Sequence, residues 1–215
     1  MPKAHRIAIL AYEGCQLLDV TGPAAVFGAA NEGRERQVYE VEIVSPDGDA
    51  VTSNCGVALR SRRIGGRCDT LLVAGGSRGL KAVMAREDVR RWLLEVAPRT
   101  RRFGSVCTGA FVLAAAGLLD GKRVATHWAS CQRLADNFPA LTVDADALYV
   151  VDGQVWTSAG VTTGIDMALA LVEADLGAAT ANLIARHFVL YARRPGYQSQ
   201  FSPLLQAQTD RKSVV

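Results

Sequence analysis

Cys107 ends a short apolar run, Phe103-Gly104-Ser105-Val106, and is followed by the small residues Thr108, Gly109 and Ala110. A helix-prone run from Phe111 to Ala116 comes next. The order reads as strand, sharp turn, helix, with a thiol at the turn, a cysteine version of the nucleophile elbow. Ser105 stands two residues before the thiol and Gly109 two after, so glycine fills only one of the flanking positions. Ser105 is still small enough for close packing. A thiolate is a nucleophile, and the positive end of a helix behind it is expected to lower its pKa. The competing reading is a buried structural cysteine, since free cysteine packs as a small hydrophobe.

Three other polar or glycine positions belong with Cys107. Asp19 lies on the connection after the first apolar run. Gly75-Gly76 stop the run Thr70-Leu71-Leu72-Val73-Ala74, and glycines after a strand let something approach the backbone closely. His127 follows Lys122 to Thr126. Taken singly, Asp19 suits a turn or cap and the glycines a plain turn. Together with Cys107 they stand just after four separate predicted strands. In parallel sheets that edge is where ligands bind.

The elements that must hold these residues alternate along the chain. Ile7 to Tyr12 predicts a buried strand, and Pro23 suits the first turn of a helix running through Ala30. Val38 to Val44 alternates as a strand, and Ala50 to Ser61 predicts a small hairpin. Glu87 to Arg102 predicts an amphipathic helix. Its arginines are diluted by Glu87, Asp88 and Glu95, which suits a solvated face better than a nucleic-acid surface. Lys122 to Thr126 and Phe103 to Val106 are strands, and Ala129 to Asn137 is a helix. Thr142 to Val151 and Gln154 to Thr157 are strands joined at Asp152-Gly153. Helices Val161 to Leu176 and Ala178 to Tyr191 follow, divided by Gly177. Strand and helix in alternation predict an α/β fold with a largely parallel sheet covered on both faces.

Bulk properties exclude several classes. A chain of 215 residues, 49% hydrophobic and 21% charged, can bury a core without staples. The formal net charge of +3 is too small to argue for nucleic acid or a membrane surface. Five cysteines with no C-x-x-C pair argue against a disulfide framework or a zinc site and fit a reducing cytoplasm. No metal and no cofactor is expected. No stretch approaches the roughly 20 apolar residues of a membrane span.

Several segments resemble the ThiJ/PfpI family, part of the class I glutamine amidotransferase-like superfamily. They are Leu18-Asp19-Val20-Thr21-Gly22-Pro23, Leu72 to Gly76, Ser105 to Ala110, Ala125-Thr126-His127-Trp128, and Trp156 to Asp166. The resemblance implies a flavodoxin-like three-layer sandwich with the cysteine at the elbow. It implies that Cys107 is the nucleophile position and Asp19 the acid facing it. Thr108 and Gly76, with Gly75 beside them, match an oxyanion or ligand-binding hole, and His127 matches a histidine found near the thiol in some branches. Thr108 replaces the histidine of a Cys-His elbow, which speaks against a peptidase. The late His187 has no acid two residues away, which speaks against a glutaminase triad.

Two branches fit the elbow equally: isonitrile hydratase and the N-terminal sensor domains of AraC-family transcriptional regulators. The stretch Ala192 to Ser202 resembles the segment that joins such a sensor to its DNA-binding domain, with Tyr197 in place of a usual glycine. The reading is therefore a domain over residues 1–192 and a linker over 193–215. The expected function is small-molecule sensing as a cytoplasmic homodimer, with DNA reached only through a C-terminal domain absent from this chain. The alternative is a cysteine-dependent hydratase or hydrolase of a small carbon–nitrogen compound.

Overall fold

The computed structural model describes residues 3–200. Strand β1 (His5–Leu10) leads into helix α1 (Leu17–Ala29), then β2 (Tyr39–Ser45). A hairpin of β3 (Asp49–Thr52) and β4 (Ala58–Arg63) follows where the sequence predicts one. Next come β5 (Thr70–Val73), short helix α2 (Leu80–Met84), α3 (Glu87–Val96) and β6 (Arg102–Val106). Helix α4 (Gly109–Ala115) follows Cys107 after one residue. Then come β7 (Arg123–Val124), α5 (Cys131–Asn137), β8 (Thr142–Val143), β9 (Tyr149–Asp152), β10 (Val155–Ser158), α6 (Thr162–Leu176) and α7 (Ala178–His187).

Among the described residues, the main sheet has the order β3-β4-β2-β1-β5-β6-β10-β9. Its pairs from β4 to β10 are parallel, and β3 and β9 are antiparallel edges. Helices α1, α6 and α7 pack together, as do α2, α3 and α4. The central strands are apolar because both faces are covered: Ile9, Leu10, Leu71, Leu72 and Val73 are all fully buried. The α/β sandwich is as expected.

Some boundaries differ from the sequence reading. Helix α1 begins at Leu17 and carries Pro23 inside it, so Asp19 lies in its first turn and not on a connecting loop. An orphan N–H at that helix start, Leu17, is satisfied from far away, by Asn54 Oδ1 in the β3–β4 turn at 3.2 Å. The predicted helix to Arg102 stops at Val96. Pro98 sits in a 3₁₀ turn over Ala97–Arg99, and Arg102 begins β6. The strand before His127 is only two residues long and pairs with β8 in a separate ribbon. The predicted strand Thr142 to Val151 is broken into β8 and β9. Helix α7 ends at His187, short of Tyr191.

At the opposite end of the sheet from Cys107, an ion-pair network ties α6 to the strand starts. Arg102 is 4% exposed and pairs with Asp175, whose other partners are Tyr39 Oη at 2.8 Å and Arg101 at 2.8 Å. Arg102 Nε also donates to Thr70 Oγ1 at 3.0 Å. Two buried charges are tolerable there because each has several hydrogen-bonded partners.

Candidate functional site

Cys107 follows directly on β6 with φ 58°, in the left-handed region that side chains other than glycine rarely adopt. Its N–H is held by the Ser158 carbonyl of β10 at 2.9 Å, and its own carbonyl accepts the Thr126 hydroxyl at 2.9 Å. These bonds fix the strained turn from both sides. Gly160 completes the enclosure. A Cβ there would overlap the Cys107 Cβ and stand 2.8 Å from Sγ, and the backbone has φ +95°, so only glycine fits.

Asp19 is fully buried. Its Oδ1 accepts the Val161 N–H at 2.7 Å and its Oδ2 accepts the Gly75 N–H at 3.1 Å. Gly75 is the glycine that lets these groups meet, since a Cβ would lie 2.7 Å from both Asp19 Oδ2 and Cys107 Cβ. Val161 has φ 52° and ψ −116°, a strained conformation for a β-branched residue.

Burial pushes the Asp19 carboxyl up to about 6, while the Val161 and Gly75 N–H groups and a hydrogen bond with Cys107 pull the other way. The Cys107 thiol is pushed up to about 12, first by burial and then by the neighbouring Asp19 charge. The Thr108 N–H and hydroxyl only partly offset this. Both groups are thus held towards their neutral forms, the Cys107 thiol well above the usual range, with the Asp19 carboxyl facing it. Burial and the Asp19 charge act against the lowering expected from the helix N-terminus. Helix α4, which follows the thiol, has only seven residues.

Thr108 Oγ1 accepts the Gly76 N–H at 2.9 Å and donates to the Gly76 carbonyl at 2.8 Å. The Gly76 amide is therefore already engaged. His127 lines the same cleft as Cys107. Its Nδ1 accepts the Ala129 N–H at 3.3 Å, which places the ring proton on Nε2. Burial lowers its pKa, so the ring is neutral at pH 7. Asp19 thus meets Gly75 and Cys107, Thr108 meets Cys107 and Gly76, and His127 stands on the cleft wall.

The cleft above Cys107 has a volume of about 590 Å³, in the range of small-molecule sites. Its wall includes Lys81, Phe111, Ser130, Arg133 and Val161, none of which the sequence reading assigned to the site. Cys15 is fully buried and bridges to Gly76, while Cys55 is exposed; all five cysteines are free thiols.

Segment 193–200, expected as linker, is docked on the domain. Arg194 pairs with the buried Asp166. Leu148 N–H donates to the Gly196 carbonyl at 2.7 Å. Gln200 Nε2 donates to the carbonyls of Thr126, Ala145 and Ala147 at 3.0 to 3.2 Å. Residues 201–215 of that expected linker lie outside the described residues.

A parallel α/β sandwich with a strained cysteine between β6 and α4, faced by a buried acid, defines a class of elbow-thiol domains. Within it, the chain belongs to the DJ-1/PfpI family, whose sequence profile matches residues 5–174. It is 35% identical to an isonitrile hydratase of Pseudomonas putida, over 91% of this chain and 82% of that protein. It is 33% identical to the HTH-type transcriptional regulator CdhR of Pseudomonas aeruginosa, over 76% of this chain and 48% of that protein. The chain thus spans about half the length of that regulator. Among solved structures, a THiJ/PfpI family protein from Pseudomonas syringae matches at TM-score 0.79 and 26% identity, over 99% of this chain and 86% of that one. An AraC family transcriptional regulator structure from Pseudomonas putida shares the fold at TM-score 0.73 and 21% identity, over 86% of this chain and 99% of that one.

Proposed function

We propose that the chain is the small-molecule-sensing domain of an AraC-type transcriptional regulator. A ligand enters the cleft above Cys107, with Asp19, Gly75, Gly76, Thr108 and His127 around it, and the attached C-terminal domain contacts DNA. The domain works as a cytoplasmic homodimer, for which exposed Leu183 on α7 and Tyr191 beyond it offer apolar surface.

One observation carries this reading. Thr126 donates its hydroxyl to the Cys107 carbonyl, and its own carbonyl accepts Gln200 Nε2. The floor of the cleft is thereby two hydrogen bonds from the segment that would lead to a following domain. A ligand that favours one setting of the elbow biases the docking of residues 193–200, as regulation by differential affinity requires. The protonated thiol and the engaged Gly76 amide suit binding better than nucleophilic attack.

The test combines thermal shift with hydrogen exchange. A small-molecule panel is screened for compounds that raise the Tm, and exchange at residues 193–200 is then compared with and without each hit. Changed protection at 193–200 is expected. Hits that bind at the cleft and leave that segment's exchange unaltered contradict the reading.

The second reading, a cysteine-dependent hydratase or hydrolase, is favoured by the Asp19–Cys107 pair and by the isonitrile hydratase relative. Here Cys107 Sγ adds to an electrophilic carbon as its proton passes to Asp19, which then serves as acid to the adduct. Turnover of an isonitrile and amide panel, lost in Cys107→Ala and in Asp19→Ala, supports it. No turnover by the unaltered protein across that panel counts against it.

A further inference from the structure

The cleft wall contains two cationic side chains, Lys81 from α2 and Arg133 from α5, while its nearest carboxyl, Asp19, is buried behind Cys107 and not on the wall. Among the described residues neither cation has an acidic partner, whereas other arginines of the chain do: Arg86 pairs with Asp47 and Asp88, and Arg99 with Glu95. His127 adds no charge at neutral pH, because burial lowers its pKa.

Arg133 is exposed but held in place. Its guanidinium carbon sits 4.6 Å from the centroid of the Phe111 ring, and Phe111 itself is 2% exposed and therefore a fixed platform. Nη2 also lies 3.5 Å from Ser130 Oγ, another residue of the wall. The Phe111 ring covers one face of the guanidinium, Nη2 reaches Ser130, and among the described residues no acidic group takes the remaining edge donors. A planar fork held this way matches a carboxylate with two parallel hydrogen bonds. Around it the wall offers apolar surface from Leu80, Met84 and Phe111.

We infer that the cleft takes a small organic carboxylate, its anionic group on Arg133 and Lys81 and its apolar body against Leu80, Met84 and Phe111. This rests on the cleft being the small-molecule site proposed above and names the chemical class of its ligand. It also sets the expected ligand apart from a neutral carbon–nitrogen substrate. The apolar lining favours a carbon chain over a bare inorganic anion, and the charge disfavours amines.

The experiment uses ligand-observed NMR with straight-chain carboxylates from acetate to hexanoate, the matching primary amides and amines, and inorganic phosphate. Proteins are the Cys55→Ser chain and the same chain carrying Arg133→Gln or Lys81→Gln. Alkylation of Cys107 in the presence of each probe reports whether binding is in the cleft. Carboxylates are expected to bind with affinity rising with chain length, to weaken with added salt, and to slow Cys107 alkylation. Arg133→Gln is expected to weaken them about ten-fold, as loss of a charge-assisted pair of hydrogen bonds would. Amides or amines that bind as well as the acids and protect Cys107 overturn the carboxylate assignment while leaving the cleft reading intact. Carboxylates that bind without protecting Cys107 overturn the cleft reading itself. Phosphate binding equal to that of hexanoate, unchanged binding in Arg133→Gln, or no binding by any acid up to about 10 mM each overturns the proposal.

Discussion

Val161, in a backbone conformation that side chains avoid, donates its N–H to Asp19 Oδ1 at 2.7 Å across 142 residues of sequence. The strain at Val161 aims an amide that would otherwise point elsewhere. The acid beneath the thiol is thus held by one strained residue on the α6 side and by one glycine after β5.

Strain of this kind costs about 1–3 kcal/mol, and glycine adopts positive φ freely at an entropic cost of about 0.5–1 kcal/mol. Val161→Gly is therefore expected to leave the Tm unchanged or to raise it. Thr162→Gly, one residue on in helix α6, is expected to lower it. Chemical denaturation of both variants checks this. A clear loss of stability in Val161→Gly contradicts the strain assignment.

The raised Asp19 carboxyl makes stability depend on pH with a definite sign. The folded protein holds this proton to about pH 6, against an ordinary value of 3.8. The stability it contributes is full below pH 3.8 and is lost as pH rises through 6. Between pH 4 and 7 the unaltered protein is expected to lose on the order of 2 kcal/mol relative to Asp19→Asn. Denaturant midpoints of the two proteins across that range give the measurement. A gap that does not change, or that changes in the other direction, contradicts a buried acid with raised pKa.

The Arg102–Asp175 network lies at the far end of the sheet and concerns folding only. Removing one partner leaves an under-compensated buried charge. Arg102→Met is thus expected to cost about 3–5 kcal/mol. Replacing the network together, as Arg102→Met, Asp175→Leu and Tyr39→Phe, is expected to recover most of that loss. Equilibrium unfolding decides it, and a cost within about 0.5 kcal/mol for the single change would falsify the network's role.

Much of the site was legible in sequence. Cys107, Asp19 and Gly75-Gly76 each follow a run of apolar residues, and a parallel sheet brings such run ends to one edge. Asp19 was misplaced by one element because Pro23 marks a helix start in local terms. The true start is capped by Asn54, a long-range bond that no local pattern shows. The strain at Val161 left no signal either, since valine ordinarily marks regular backbone. Arg133 and Lys81 were missed for a different reason. Charges on short helices read as solvated faces until the fold shows that they line one cleft. The protonation of Cys107 is not legible in sequence, because helix position is visible there and depth of burial is not.

The central claim is that burial and the facing Asp19 hold the Cys107 thiol protonated at neutral pH. The direct measurement is the pH dependence of Cys107 alkylation by iodoacetamide in the Cys55→Ser chain, followed by peptide mass spectrometry. Cys55 is removed because it is exposed and a hydrogen bond from Ser53 lowers its pKa, so it would react first. The shape of the profile decides the matter, since access alone changes the rate without moving its midpoint. The expected result is a rate that climbs without levelling off to about pH 10, as a thiol raised well above the usual range requires. A plateau already reached near pH 7 would show a resting thiolate and contradict the account.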